Sequence, residues 1–352
     1  MADTPEHAQH SSAATNGVAD VLSAAAAGLS VNRLAAGRVA QLIDAAATLG
    51  VAVERLDNGV TVVDAGIDVP GSVAAGVLVA EICMGGLGKV RLASRVEYAW
   101  PAWLEVDSAQ PVLACLASQY AGWSLSASKE EAGGRKFFSL GSGPARALAC
   151  REDLFVELGY RDHADAGVLV LEVDRRPPPV VVDKILRDCG LAAERLTLVL
   201  TPTTSLAGTT QVVGRVLEVA MHKAHELGFP LGDIIDGNAC APLPAPSPDG
   251  GVAMGRTNDA ILYGGRVYLK VRGSDEAARD LAQCLPSTNS RDHGRSFADI
   301  FRDYEYDFYK IDPALFAPAE AWVSNLDSGR SWRAGRLHMD LLLALWLERQ
   351  DG

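Results

Sequence analysis

The stretch GVLVLEVDRRPPPVVVDKILRDCGLAAERLTLVL (residues 167–200) decides the fold class of this chain. It opens with an apolar run typical of a buried strand, continues through a helix-forming segment at residues 180–189 that Gly190 closes, and ends in a second strand-like run at residues 196–200. A strand, a helix and a strand in this order form the unit from which parallel sheets are built. The segment therefore predicts an α/β fold, with a mixed α+β arrangement left open.

Upstream of this unit the sequence predicts one helix and one hairpin. Ser30 has a side chain that caps helix N-termini, and a run of good helix formers follows it at residues 32–49. Two strand-like runs lie at residues 51–56 and 60–63, and the Asn-Gly pair between them is a strong signal for a tight hairpin turn. Residues 1–29 are small, polar and rich in alanine, and they are predicted to be a mobile extension outside the fold.

Four downstream segments complete the expected arrangement. Residues 209–227 are predicted to form one long helix, and residues 240–251, which are rich in Pro, Gly and Ser, a long loop. A Gly-Gly pair at residues 264–265 predicts a second hairpin turn, and residues 336–348 predict a closing helix. The folded unit is therefore expected to span residues 30–352.

The bulk composition narrows the classes of function. The 352 residues are 48% hydrophobic, which is enough for one large core or two modest ones, and their formal net charge of -12 argues against a general nucleic-acid binder. No apolar run reaches the roughly 18–20 residues that span a bilayer, so no membrane association is expected. The six cysteines are scattered without a CxxC pair, as is typical of reduced thiols in a cytoplasmic protein.

Motifs for phosphate, nicotinamide and metal binding are incomplete. The Gly88-Lys89 pair lacks the first glycine and the hydroxyl residue of a Walker loop, and no GxGxxG fingerprint follows a strand. His222 and His225 have the spacing of two metal ligands on a helix, but no third ligand is apparent nearby. We therefore expect no metal and no nicotinamide cofactor, and we interpret the two histidines as part of a polar helix face.

The predicted helix at residues 209–227 has a narrow polar edge. At about 100° per residue, five polar positions fall in one stripe roughly 80° wide, namely Gln211, Arg215, Glu218, His222 and His225. The rest of the surface is apolar apart from one lysine, so the helix is predicted to be largely buried. Its edge is either an exposed ion pair between Arg215 and Glu218 or the wall of a cleft. In a cleft, the guanidinium would tune a partly desolvated carboxylate.

Two loops are candidates for holding an anion. Residues 201–208, which include Ser205, form a hydroxyl-rich loop between a predicted strand and the long helix. Open α/β folds bind ligands at such loops, and a helix N-terminus favours negative charge; the alternative is that the hydroxyls only cap the helix. Residues 141–146 form a glycine turn whose proline suits a first helical position, and exposed amides there would hold a phosphate or a carboxylate.

Eight strings along the chain carry a resemblance to one known family. They are SVN (30–32), LDNGVTVVDAGIDVPGS (56–72), EICMGGL (81–87), GSGPARALA (141–149), TPTTSLAGTTQVVGRVLE (201–218), TNDAILYGG (257–265), SRDHGRSF (290–297) and YDFYKIDPALFAPA (306–319). With these strings the chain resembles the methenyltetrahydromethanopterin cyclohydrolases of methanogens and of bacteria that oxidise one-carbon compounds. The resemblance runs from about residue 30 to residue 343.

The resemblance implies an activity, an assembly and a set of site residues. The activity is hydrolysis of the methenyl bridge of 5,10-methenyltetrahydromethanopterin to 5-formyltetrahydromethanopterin, without a redox cofactor. The subunit is expected to have two α/β lobes with a substrate pocket between them and to form a homotrimer. The family's catalytic glutamate lies three residues after an arginine in a GRxxE segment, so these roles carry to Arg215 and Glu218. Substrate contacts are implied at Gln119, Tyr120, Ser142, Gly143, Arg146, Ser205, Gln211 and Asn258.

One position departs from the pattern of the family. Archaeal members commonly carry lysine in a segment SQKAGW, and that lysine is thought to line the active site. Here the segment is SQYAGW (residues 118–123), with Tyr120 in place of the lysine. Because a phenol lacks the fixed positive charge of an ammonium group, Tyr120 is not expected to hold an anionic group in the same way.

These observations predict a cyclohydrolase that uses Glu218 as general acid and base, assisted by Arg215. The substrate is an amidinium-like cation, and its hydrolysis needs a group that takes a proton from water and later gives one to the departing nitrogen. One carboxylate can perform both steps. The alternative, from a different class, is a non-catalytic pterin-binding or carrier protein on the same scaffold, and the intact Arg215 and Glu218 count against it.

Overall fold

The computed structural model describes residues 28–94, 99–307 and 310–347. These residues form two six-stranded sheets with helices packed against both. Each sheet contains parallel and antiparallel pairs, which confirms the predicted α/β class in its mixed form. The predicted N-terminal extension lies outside the described residues, apart from residues 28–29.

The strands are numbered in chain order. They are β1 (Ala52–Arg55), β2 (Thr61–Asp64), β3 (Gly88–Ser94), β4 (Ala102–Ser108), β5 (Trp123–Ala127), β6 (Phe137–Ser142), β7 (Gly167–Leu171), β8 (Leu196–Leu200), β9 (Ile234–Pro242), β10 (Arg266–Val271), β11 (Glu320–Asn325) and β12 (Ser331–Gly335). The first sheet has the order β1-β2-β8-β7-β6-β5, in which β8 is parallel to β2 and to β7. The second sheet has the order β12-β11-β10-β9-β4-β3, in which β10 is parallel to β11.

The helices of the described residues connect these strands. They are α1 (Val31–Asp44), α2 (Ala46–Leu49), α3 (Val73–Cys83), a π-helix (Val112–Gln119), α4 (Arg146–Ala149), α5 (Leu154–Leu158), α6 (Pro179–Cys189), α7 (Leu206–Val213), α8 (Val216–Glu226), α9 (Gly250–Gly264), α10 (Asp275–Cys284), α11 (Phe297–Asp303) and α12 (Met339–Trp346). Short 3-10 turns lie at Ala193–Arg195, Leu231–Asp233, Ser287–Asn289 and Pro313–Leu315.

The two sheets differ in how their faces are covered. Apolar side chains alternate along the strands of the first sheet, so one face packs against α1 and α3 and the other against α6. One face of the second sheet packs against α8, α10 and the π-helix in a large apolar cluster. Its other face carries polar side chains, including Glu320, which pairs with Arg266 at 3.1 Å and with Arg333 at 2.7 Å.

The chain passes between the sheets three times, and the connecting segments meet. The helix α3 leads from β2 to β3, the π-helix from β4 to β5, and the pair α7 and α8 from β8 to β9. The helix α3 packs against α7, and the π-helix packs against α8 and α3. Gly76 permits this approach, because a Cβ atom there would lie 2.5 Å from Cβ of Thr210. The structure thus confirms two α/β lobes and joins them at this junction.

The π-helix is the feature of the junction that no sequence pattern indicated. All eight of its residues are buried, and the Tyr120 amide that follows it donates to the carbonyl of Cys115, five residues back, at 2.7 Å. Helices of this kind are rare and occur frequently at functional sites. Its last residue, Gln119, lies where two of the connecting segments meet.

The predicted helix and hairpin upstream of residue 64 are confirmed. The hydroxyl of Ser30 caps α1 by accepting the amide of Arg33 at 3.1 Å, and the predicted helix is interrupted only at Ala45, between α1 and α2. The strands β1 and β2 form the expected antiparallel hairpin. Gly59 in its turn has φ +98°, a conformation that glycine adopts without strain.

The long helix predicted at residues 209–227 is wrong, because it is broken at Gly214 and Arg215. The amide of Arg215 bonds to the carbonyl of Val212, three residues back, so the last turn of α7 tightens before α8 begins. Glycine is a weak helix former, and the Gly214 carbonyl is taken by the side chain of Gln119 at 3.2 Å. The break therefore places a connecting segment against the π-helix.

Three further predictions need correction. The loop predicted at residues 240–251 is shorter, because β9 continues to Pro242 and α9 begins at Gly250. The hairpin at residues 264–265 is wrong: Gly264 ends α9, and a Cβ atom there would lie 2.5 Å from the Pro242 ring. Close packing of the helix end, not a turn, explains this glycine. The closing helix α12 begins three residues later than predicted.

Candidate active site

Arg215 and Glu218 lie at the break between α7 and α8, where the two sheets are joined. Arg215 is the N-cap residue of α8, and Glu218 stands in its first turn, where the helix dipole favours a carboxylate. Their side chains are 13% and 6% exposed, and Nη1 of Arg215 lies 3.4 Å from Oε2 of Glu218. The interpretation of these residues as an exposed surface ion pair is therefore wrong.

The guanidinium of Arg215 also binds two groups from distant parts of the chain. Its Nη1 donates to the main-chain oxygen of Gln119 at 2.7 Å, and its Nη2 donates to Oγ of Ser142 at 2.8 Å. The Ser142 hydroxyl in turn donates to the same Gln119 carbonyl at 2.6 Å. Ser142 ends β6, so this network ties the first sheet to two connecting segments and fixes the guanidinium beside Glu218.

Two buried amide oxygens lie at the connecting segments. Oε1 of Gln119 and Oε1 of Gln211 lack a hydrogen-bond partner within the part of the chain that the structure describes. The side-chain nitrogen of Gln119 is occupied by the Gly214 carbonyl, so its amide orientation is set. Buried polar atoms are usually paired, and an acceptor without a donor suits a ligand that carries N–H or O–H groups.

Tyr120 follows the π-helix, and two neighbours contact its ring. The ring stacks on His222, with centroids 4.7 Å apart and planes 18° from parallel, and Cζ of Arg146 lies 5.3 Å from the ring centroid. Burial raises the pKa of Tyr120, and the negative charge of Glu218 raises it further. The phenol is therefore protonated at neutral pH and can donate a hydrogen bond.

Arg146 is fully buried, and its guanidinium links the π-helix to Glu152. Its Nε donates to Oε1 of Glu152 at 2.9 Å, and its Nη2 binds the other oxygen of the same carboxylate. Its Nη1 donates to the carbonyls of Leu116 and Ser118 at 3.1 and 3.0 Å. Because most of its donors are used within the protein, the structure gives Arg146 a part in fixing the site; its contact with substrate stays a prediction.

Three other predicted contact residues are also bonded within the protein. The amide of Gly143 donates to the carbonyl of Ser118 at 2.8 Å, so it is not the exposed anion-binding amide that the glycine turn suggested. The hydroxyl of Ser205 caps α7 by accepting an amide at 2.9 Å, and the side-chain nitrogen of Asn258 donates to a carbonyl of its own helix at 2.9 Å. Substrate contact by these residues stays a prediction.

Two cysteines that sequence reasoning did not single out lie within electrostatic reach of the ion pair. Burial raises the pKa of the Cys83 thiol, which Arg215 partly counteracts. Burial raises the pKa of the Cys115 thiol well above its usual range, and the charge of Glu218 adds to that effect. Protonated thiols are poor nucleophiles, so both cysteines serve as small apolar side chains beside the site.

The two histidines of the polar stripe have separate partners. His222 stacks on Tyr120, whereas Nε2 of His225 lies 2.6 Å from a carboxylate oxygen of Glu157. Within residues 28–94, 99–307 and 310–347, no group of three or more potential ligands could hold a metal ion. In the same described part of the chain, no helix is both long enough and apolar enough to cross a membrane.

Comparison with known proteins gives consistent matches over this whole region. A family model described as Cyclohydrolase (MCH) matches residues 30–345. The methenyltetrahydromethanopterin cyclohydrolase of Methylobacillus flagellatus is 56% identical over 314 residues, which are 89% of this chain and 94% of that protein. The protein of the same name from Methylobacterium organophilum is 54% identical over 314 residues, 89% and 96% of the two chains. That from Methanospirillum hungatei is 39% identical over 317 residues, 90% and 98% of the two chains.

Proposed function

The chain belongs to the cyclohydrolase (MCH) family, and from this premise we propose that it hydrolyses 5,10-methenyltetrahydromethanopterin to 5-formyltetrahydromethanopterin in one-carbon metabolism. The match covers nearly the full length of the relatives that carry the cyclohydrolase name, which supports the same activity for this chain. The residues that perform the chemistry are proposed from the geometry of the site.

One observation carries the assignment of the catalytic pair. Glu218 and Arg215 are buried together at the place where the connecting segments between the two sheets meet, and Arg215 is held there by Gln119 and Ser142. A buried carboxylate beside a fixed guanidinium suits a polar cationic ligand, and the amide oxygens of Gln119 and Gln211, which have no partner among the described residues, would accept its N–H groups. We therefore place the substrate between the two lobes, against this junction.

We propose that Glu218 acts first as a base and then as an acid. Water attacks the electrophilic methenyl carbon, a C–O bond forms, and Glu218 takes the proton that water releases. The bond from this carbon to the second nitrogen then breaks, and Glu218 returns its proton to that nitrogen. The new hydroxyl loses its proton to solvent and becomes the carbonyl of the formyl group, so each turnover consumes one water and releases one proton.

Arg215 is proposed to orient the carboxylate. Its guanidinium has fixed partners on Gln119 and Ser142, so its position beside Glu218 does not depend on the substrate. A positioned base needs no reorganisation at the moment of attack, which is the usual benefit of a preorganised site. The positive charge of the substrate is complementary to the negative charge of the Glu218 carboxylate.

The rival function is a pterin-binding or carrier protein without catalysis. It predicts tight binding of the methenyl compound but no chemical change. The test is to mix the purified protein with methenyltetrahydromethanopterin and follow the loss of its near-ultraviolet absorbance. Turnover that exceeds the protein concentration many times supports the enzyme, and stoichiometric binding with stable absorbance supports the carrier.

We further propose that the enzyme needs no metal or redox cofactor, and that it works in the cytoplasm as a homotrimer. Hydrolysis changes no oxidation state, and all six cysteines are free thiols, as in a reducing compartment. Prolonged dialysis against a chelator should leave turnover intact, and recovery of a lost rate by added metal would overturn this proposal. Sedimentation equilibrium tests the trimer, which rests on the family resemblance.

A further inference from the structure

The stack between Tyr120 and His222 points beyond the residues already assigned. We infer that His222 is a positioning residue, whose imidazole holds the Tyr120 ring so that the phenol hydroxyl faces the substrate. This inference rests on the proposed function, because it concerns how the same site binds its substrate. Neither the polar-face nor the metal-ligand interpretation of His222 explains the stack.

Three contacts restrict the Tyr120 ring. His222 lies against its face at 4.7 Å and 18°, and the Arg146 guanidinium lies 5.3 Å from its centroid. The chain then turns away at Gly122, where a Cβ atom would lie 2.5 Å from Cε1 of the Tyr120 ring. The same Cβ atom would lie 2.0 Å from Oε2 of Glu152, so a larger residue at position 122 would displace that carboxylate as well as the ring.

Of these three contacts, the stack with the imidazole of His222 determines the orientation of the Tyr120 ring most directly. Arg146 is fixed by Glu152 and by carbonyls of the π-helix, so it stays in place whatever residue occupies position 120. His222 makes looser contacts elsewhere, with Nδ1 3.8 Å from a carboxylate oxygen of Glu226 and with its ring centroid 6.5 Å from that of His225. Its close partner is the Tyr120 ring, so the stack is its main structural role.

The phenol hydroxyl remains available to a ligand. Within the described part of the chain, Oη of Tyr120 has no hydrogen bond to another residue, although the ring is half-buried. The charge of Glu218 acts on this phenol, which places it within electrostatic range of the proposed catalytic carboxylate. A neutral phenol binds the substrate through a short, directional hydrogen bond and not through a long-range charge. Its contribution to binding therefore depends on how well the Tyr120 ring is held in place.

The test compares His222→Leu with His222→Phe. Both remove the imidazole, but only phenylalanine keeps an aromatic ring to stack on Tyr120. We expect His222→Leu to raise KM by about 3- to 10-fold, within the range that one aromatic pair contributes, while kcat changes by less than about 2-fold. His222→Phe should restore KM to within about 2-fold of the native value.

Two controls separate positioning from general damage. His225→Leu removes a neighbouring histidine that pairs with Glu157 and has no stack with Tyr120, and its KM should be native. In a Tyr120→Leu background, which has no ring to hold, His222→Leu should have no further effect on KM. The double-mutant cycle should therefore give a coupling equal to the full effect of His222→Leu in the native background.

The outcomes are distinct. A native KM for His222→Leu, or equal KM for the Leu and Phe variants, overturns the inference while an active native enzyme leaves the proposed function standing. Additive effects of His222→Leu and Tyr120→Leu also overturn it. If the native protein does not turn over the methenyl compound, the proposed function fails and this inference falls with it.

Discussion

The main-chain carbonyl of Gln119 accepts a 2.7 Å hydrogen bond from Nη1 of Arg215, 96 residues further along the chain. This bond joins the end of the π-helix to the break between α7 and α8, and both segments cross from one sheet to the other. The arginine that accompanies the proposed catalytic carboxylate is thus also a link between the two lobes. Its removal should affect stability and catalysis together.

Arg215→Ala is expected to be less stable than the native protein by about 3 kcal/mol, because it leaves the buried Glu218 without its cation. Urea unfolding measures this difference. Arg215→Lys keeps the positive charge, but its single ammonium group cannot bond to Gln119 and Ser142 at once as the planar guanidinium does. This variant should therefore recover part of the stability and little of the turnover. A change in unfolding free energy below about 0.5 kcal/mol for Arg215→Ala would restore the exposed-pair interpretation.

Tyr120→Phe tests the free phenol directly. It removes one hydroxyl and keeps the ring that His222 and Arg146 contact. A hydrogen bond of this kind contributes about 0.5–1.5 kcal/mol net, so KM should rise by about 2- to 10-fold and kcat should change less. Steady-state kinetics measure both constants. A loss of turnover as large as that of a Glu218 variant would contradict a role in binding alone.

The sequence predicted four of the six strands of the first sheet, because the signals for these four are local; β5 and β6 were not predicted. Capping by Ser30, the Asn-Gly turn and the strand-helix-strand unit at residues 167–200 each depend on residues near one another in the chain. The polar stripe of residues 211–225 left open whether Arg215 and Glu218 form an exposed ion pair or line a cleft, and the family resemblance assigned them to the site; the structure shows that both side chains are largely buried.

The features that the sequence did not predict depend on contacts between segments that are distant in the chain. At the helix break, the carbonyl of Gly214 accepts a hydrogen bond from the Gln119 side chain, 95 residues away. Gly264 suggests a turn by its sequence, but it ends helix α9 and permits close contact with Pro242 at the end of β9. The π-helix and the stack of His222 on Tyr120 likewise arise from packing between segments distant in sequence, and periodicity along one segment cannot show such contacts.

The N-terminal segment should be dispensable up to the point where the fold begins. Deletion of residues 1–27 should leave turnover and the unfolding midpoint unchanged, because the composition of this segment offers little apolar surface to bury. Leu29 should be kept, since its carbonyl accepts the hydroxyl of Tyr160 at 3.3 Å. As a comparison, Ser30→Ala removes the cap of α1 and should cost about 1 kcal/mol. Loss of activity on deletion would assign the segment to the site or to an interface.

Asp259 should make the protein less stable as the pH rises towards neutrality. Burial raises its pKa from 3.8 to about 7, while the Phe297 amide that donates to it at 2.8 Å opposes this. The folded chain therefore holds this proton more tightly than the unfolded chain. The stability this provides is complete below about pH 4 and is lost as the pH rises through about 7.

The measurement is the difference in unfolding free energy between Asp259→Asn and the native protein at several pH values. Asparagine can still accept the Phe297 amide but carries no charge to bury, so the variant should gain about 2–4 kcal/mol relative to the native protein between about pH 4 and 8. His293, whose pKa burial lowers to about 4, acts in the opposite direction but is present in both proteins and cancels. A difference that does not vary with pH would contradict the prediction.

Glu218→Gln is the decisive change for the proposed mechanism. Glutamine keeps the shape of the side chain and can still bond to Arg215, but it cannot take a proton from water. General-base catalysis contributes about 100- to 10,000-fold, so turnover should fall by at least about 100-fold. The Michaelis constant should change less, because the amide fills the same space.

The matched control is Glu320→Gln, which alters a carboxylate that is equally buried and paired with two arginines, but on the second sheet away from the junction. Loss of that pairing should lower stability and leave kcat native, whereas Glu218→Gln should lower kcat by at least about 100-fold, whatever the change in stability from its own broken pair. Turnover and urea unfolding of the two variants together therefore separate a catalytic carboxylate from a structural one. More than a tenth of native turnover in Glu218→Gln would end the catalytic assignment, because the loss would then be smaller than the roughly 100-fold that general-base catalysis contributes at least.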